Sequence, residues 1–164
     1  MVIFLDIENT VIDDLVSCNW LEENCTKISK FISDNNAKVI LYTWGWTEVE
    51  EIDYNIANNI FDKLGVPNSK RISVLVKENS VERAMQLGLV DDFKTAMIPG
   101  MMTSEYCIDK TTSFLQIIHA KPRMSDTEKC VLIDDTAETD YNLDHNAISV
   151  KPVDLLKQRT FLNR

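Results

Sequence analysis

The chain has 164 residues, 45% hydrophobic and 26% charged, enough for one ordinary core and too apolar for a disordered chain. A formal net charge of -9 and a pI of about 4.7 exclude a general nucleic-acid binder, which presents a basic face to phosphates. No run reaches membrane-spanning length and no basic-then-apolar leader opens the chain, so a protein without membrane attachment is expected.

Val2, Ile3, Phe4 and Leu5 form an unbroken apolar run that stops at Asp6-Ile7-Glu8-Asn9-Thr10. A run without alternation and with a sudden polar end reads as a strand buried on both faces, as inside a parallel sheet. Its carboxylates then lie at the carboxyl end, where open α/β sheets collect ligand groups. Asn9 suits the turn, and the Thr10 hydroxyl is placed to tie the loop to the site.

A helical pattern follows, with Leu21, Ile28 and Ile32 on one face and Asn19 with Glu22 as a capping box. The segment AKVILYT is a second buried strand ending at Thr43. A second helix is predicted from a Thr47 and Glu50 capping box through Val49, Ile52, Ile56, Ile60 and Leu64, with Gly65 and Pro67 ending it. RISVLV is a third strand, and SVERAMQL a short helix. Residues 77–109 are poorly patterned and read as extra edge structure or a small insertion, the former preferred. A helix over about 110–119, the strand CVLID, a short helix near Tyr141, the strand AISV and a C-terminal helix complete a single domain over 1–164. Strands alternating with helices predict an α/β fold, a central, mostly parallel sheet with helices on both faces.

Three strands therefore stop at polar groups: Asp6, Thr43 and Asp134-Asp135, with Lys110 opening the helix before the fourth strand. Each alone is the usual composition of a turn or a cap. Together, Asp6, Asp134 and Asp135 supply hard oxygen ligands for Mg2+, which takes a few carboxylates and keeps waters. Lys110 would balance charge and hold phosphoryl oxygens, and the Thr43 hydroxyl would donate to one of them.

In this order the chain resembles the haloacid dehalogenase (HAD) superfamily of phosphatases. FLDIENT stands where that family has Asp-x-Asp-x-Thr or Asp-x-Asp-x-Val, VILYT matches its second motif, Lys110 its third, and VLIDD its paired-acid fourth. The resemblance implies a HAD-like Rossmannoid three-layer sandwich and a Mg2+-dependent phosphomonoester hydrolase working through an aspartyl-phosphate. It assigns Asp6 as nucleophile, with the metal held by Asp6, the backbone carbonyl of Glu8, Asp134 and Asp135. Thr43 and Lys110 would position the phosphoryl group; Lys121 is the alternative cation. Glu138 and Asp140 are either metal support or solvated helix residues.

Glu8 departs from the pattern, which has Asp as the general acid and base. The longer side chain is a working acid, a slow one, or a remnant in a catalytically inactive module that binds a phosphorylated or protein partner. Too few residues separate Asp6 from the first helix for a folded cap there. An open site, by the same resemblance, suits a macromolecular substrate or a second subunit that closes it. The expected partner is thus a phosphorylated substrate (a nucleotide, a nucleic-acid end or a phosphoprotein), with a homo-oligomer as one way to cover the site.

Trp44 and Trp46 flank Gly45 just past Thr43; one is expected to pack under the second helix while the other shields the site or stacks on a base, and Trp20 is expected in the core. Cys18, Cys25, Cys107 and Cys130 make no C-x-x-C pair, which predicts buried free thiols in a reducing, cytoplasmic compartment. His119 and His145 lack metal-ligand spacing and are read as helix-end or turn residues.

Overall fold

The four leading apolar residues form strand β1 (Val2–Leu5), every one of them buried. The computed structural model describes residues 1–78, 128–137, 142–144 and 147–157. Helix α1 (Glu22–Asp34) follows β1, then strand β2 (Lys38–Tyr42), helix α2 (Tyr54–Lys63) and strand β3 (Arg71–Leu75). Beyond lie strands β4 (Cys130–Ile133), β5 (Asn142–Asp144) and β6 (Ala147–Val150), closed by a 3-10 segment at Pro152–Lys157.

These strands make one sheet in the order β3-β2-β1-β4-β6-β5. All neighbours are parallel except β5 and β6, so the α/β class with a mostly parallel sheet is observed. β1 lies between β2 and β4, with Leu5 paired to Leu41 on one side and to Ile133 on the other. That register carries Asp6 and Asp134 out of the sheet side by side.

Alternate residues of the strands feed two cores. Ile3, Leu5, Val39, Leu41, Val131, Ile133, Ile148 and Val150 pack with Ile28 and Ile32 of α1 and with Ile60 and Phe61 of α2. On the other face Val2, Phe4, Ile40, Tyr42, Cys130 and Leu132 cluster, and the Phe4 and Tyr42 rings meet edge to face with centroids 6.1 Å apart. Both described helices thus cover one face. The expected short helix at SVERAMQL, the helix over 110–119 and most of the 77–109 segment lie outside the described residues.

The helix starts differ from expectation. At α1 no side chain caps the first turn; Leu21 holds the N-cap position and the Asn19 amide instead donates to Asp13 at 2.8 Å. Glu22 and Glu23 in the first turn still complement the helix dipole. The predicted helix from Thr47 is broken in two: a 3-10 turn at Val49–Glu51, then α2 capped by Asp53, whose carboxylate accepts from the N–H groups of Asn55 and Ile56. The acid that closes the first turn is Glu51, not Glu50: it accepts from the N–H and hydroxyl of Thr47 and the N–H of Glu48. Gly65, with φ of 68°, ends α2 as expected. Near Tyr141, where a helix was expected, residues Asn142–Asp144 form β5, antiparallel to β6. No described helix is long and apolar enough to cross a membrane.

Candidate metal centre at the carboxyl edge of the sheet

The acids at the strand ends are held by the sheet itself. The Asp6 N–H donates to the carbonyl of Ile133 at 2.9 Å, and the Asp134 N–H to that of Val150 at 3.1 Å, so each acid sits on the last rung of a parallel ladder. Both are buried, Asp6 at 6% exposure and Asp134 at 3%, while Asp135 is half-buried. Carboxylate oxygens of Asp6, Asp134 and Asp135 all lie within 4.8 Å of one another, a group able to hold a cation.

Hydroxyl donors orient two of these carboxylates. The Thr10 hydroxyl donates to Asp6 Oδ2 at 2.8 Å, and Thr10 is fully buried. Its oxygen also accepts the Asp135 N–H at 3.1 Å, so one side chain ties the loop after β1 to the turn after β4. Thr136 donates to Asp134 Oδ1 twice, through its N–H at 2.9 Å and its hydroxyl at 2.7 Å. The Thr10 tie was legible in the sequence. Thr136 was missed, although Asp-x-Thr directly after a strand is the composition of a side-chain-closed turn.

The loop between β1 and α1 winds tightly. Asn9 takes φ of 55° and donates its N–H to the carbonyl of Ile12 at 2.7 Å, the turn role expected of it. Glu8 follows a path of its own. Its carboxylate is outside the three-acid cluster; Oε2 accepts the Leu15 N–H at 3.4 Å, and the carboxyl group rests against Gly45. Thr43 is buried at the end of β2, its N–H bonded to the Leu75 carbonyl at 3.0 Å and its hydroxyl oxygen accepting the Gly45 N–H at 3.0 Å. Gly45 is the second residue that sequence reasoning passed over.

The two tryptophans differ in burial. Trp46 is buried in the core cluster, whereas Trp44 is half-buried beside Thr43 with Lys77 Nζ 5.2 Å from its ring centroid. Trp20 is half-buried and packs against the core, with Lys63 Nζ 5.4 Å from its ring centroid. Lys110, Lys121, Glu138, Asp140, Cys107, His119 and His145 lie outside the described residues.

Farther along the same loop, Asp13 and Asp14 organise the approach to α1. Desolvation pulls the Asp13 carboxyl upward, but hydrogen bonds from the Asn19 amide and from the N–H groups of Asp14 and Asn19 outweigh it and bring it down to about 2. Hydrogen bonds from the Ser17 N–H and hydroxyl lower Asp14 in the same way. Val16, at the tip, is 96% exposed. Cys25 and Cys130 are buried free thiols and Cys18 a half-buried one. Burial pushes the Cys18 and Cys25 thiols up, which keeps them unreactive.

Comparison of the chain with protein-family models, curated proteins and solved structures finds no match.

Proposed function

We propose that the chain is a Mg2+-dependent phosphomonoester hydrolase of the HAD type, acting through an aspartyl-phosphate on Asp6. The observation that carries this reading is the trio Asp6, Asp134 and Asp135, drawn from the ends of two adjacent parallel strands with oxygens within 4.8 Å. Three carboxylates this close would suit a hard cation that takes a few oxygen ligands and keeps waters. All-oxygen donors suit a hard cation. Asp6, Asp134, Asp135 and the Glu8 carbonyl would hold it, and when bound it supplies charge neutralisation for the approach of a phosphate to a carboxylate.

The chain's own groups then divide the work. An Asp6 oxygen bonds to phosphorus as the bond to the leaving oxygen breaks, with Glu8 as the acid that passes a proton to that oxygen. Water next attacks phosphorus, Glu8 takes the water's proton, and the bond between phosphorus and Asp6 breaks to free phosphate and restore the carboxylate. Thr10 keeps Asp6 in one orientation through its 2.8 Å hydrogen bond. The Thr43 hydroxyl donates to a phosphoryl oxygen, Lys110 supplies the balancing cation, and Trp44 lies beside Thr43 where a base or ring of the substrate could stack. The substrate is a phosphorylated nucleotide, nucleic-acid end or protein, met in the reducing cytoplasm, with a second copy of the chain as one means of covering the site.

The test is phosphate release from an aryl phosphate with and without Mg2+, in the native protein, Asp6→Asn and Glu8→Asp. Metal-dependent turnover lost in Asp6→Asn supports the hydrolase. No turnover in any of the three, together with no stable complex of beryllofluoride and Mg2+ on the native protein, sinks it and leaves a binding module.

A further inference from the structure

Glycine at position 45 is not demanded by the backbone. Gly65 has a positive φ, and Gly45 does not. What position 45 requires is space: a Cβ there would overlap Glu8 Oε1 and would stand 2.9 Å from Glu8 Cδ and 2.8 Å from Leu15 Cδ1. Ordinary carbon contacts begin at about 3.5 Å. The atoms in conflict are all side-chain ends, and Gly45 itself is exposed. A methyl group would therefore swing the Glu8 carboxylate aside at small cost to the fold.

The same short turn holds two groups of the site. The Gly45 N–H fixes the Thr43 hydroxyl oxygen at 3.0 Å, and the open space over its Cα receives the Glu8 carboxylate, whose other oxygen accepts the Leu15 N–H at 3.4 Å. An aspartate at position 8 would be shorter by about 1.5 Å, one carbon–carbon bond, and would not reach this space.

We infer that Gly45 is the positioning residue for Glu8: the space left by its missing side chain seats the longer carboxylate, and this seat is what allows glutamate to serve where the family pattern has aspartate. The inference rests on the hydrolase reading above for its catalytic meaning, and on the packing of residues 8, 15 and 45 for its geometry.

The experiment uses Gly45→Ala, Glu8→Asp and the double variant of the full chain. In metal-free protein, the Glu8 carboxyl 13C resonance, identified by its loss in Glu8→Asp, is expected to shift in Gly45→Ala while Tm stays within about 2 °C. With aryl phosphate and Mg2+, Gly45→Ala is expected to lower kcat at least about tenfold with KM within about twofold. Added to Glu8→Asp, the same change is expected to cost less than about twofold, because the shorter acid no longer occupies the space. An unmoved resonance, or an equal fractional loss in both backgrounds, overturns the inference. A moved resonance in a native protein that neither releases phosphate nor forms a stable complex with beryllofluoride and Mg2+ supports the seat and ends the hydrolase reading instead.

Discussion

Thr10 donates its hydroxyl proton to Asp6 at 2.8 Å and, through the same oxygen, accepts the backbone N–H of Asp135 at 3.1 Å. One buried hydroxyl thus fixes a carboxylate of one strand end against the turn of the next. Replacing it with an isosteric methyl leaves a buried charged acceptor and a backbone donor without this partner. Thr10→Val is expected to destabilise the fold by about 1–3 kcal/mol in urea unfolding and to weaken Mg2+ binding, whereas Thr10→Ser keeps both near native. A Thr10→Val protein with native stability and native metal affinity would show that the bridge is incidental.

Binding of a cation only to the folded acid cluster raises Tm by mass action. At a Mg2+ concentration of about 100 Kd the gain is about 2.7 kcal/mol, read as an upward Tm shift against a metal-free control. Asp134→Asn removes one of the three carboxylates and is expected to abolish most of that shift. Equal shifts in both proteins would move the ion elsewhere.

Asp13 makes the loop before α1 sensitive to acid. Its carboxyl lies at about 2 in the folded chain against an ordinary 3.8, so its hydrogen bonds contribute fully above about pH 4. That contribution fades as pH falls from about 4 through about 2, where the folded carboxyl takes up its proton. The Tm gap between the native protein and Asp13→Ala should be widest near neutrality and close across this window. A gap independent of pH would mean that the ionised carboxylate is not what holds the loop.

Asp53 begins α2 alone, accepting from two N–H groups of the first turn at 2.9 and 3.2 Å. Asp53→Ala is expected to cost about 1 kcal/mol of stability, and Asp53→Asn much less. The corresponding substitution Asn19→Ala should not act as a cap loss at α1, since the Asn19 side chain bonds Asp13 rather than the helix. Denaturant midpoints of the three variants check the ranking.

Strands β1, β2 and β4 were legible because burial on both faces leaves an unmistakable apolar run, and the acids were legible because nothing apolar explains them at its end. The parallel register then brings Asp6, Asp134 and Asp135 together without further information. The break before α2 was hidden because Val49, Ile52 and Ile56 keep helical spacing straight across it; what interrupts the helix is hydrogen bonding by Glu51 and Asp53, which periodicity does not record. β5 is short and has polar residues, so it forms from its pairing with β6 rather than from its own propensity. Gly45 escaped because a glycine between two tryptophans looks like a turn, and its use depends on where a distant glutamate ends.

The tie from Thr10 to Asp135 spans 125 positions along the chain. During synthesis from the N-terminus, β1 and β2 can pair early, yet Asp134 and Asp135 reach Asp6 only once β4 has left the ribosome and docked. A nascent or truncated chain ending before Cys130 would carry the proposed nucleophile without Asp134 and Asp135, two of the three acids of the cluster. Cation binding at this cluster would therefore report on the docking of β4, separating chains that contain it from fragments that stop before it.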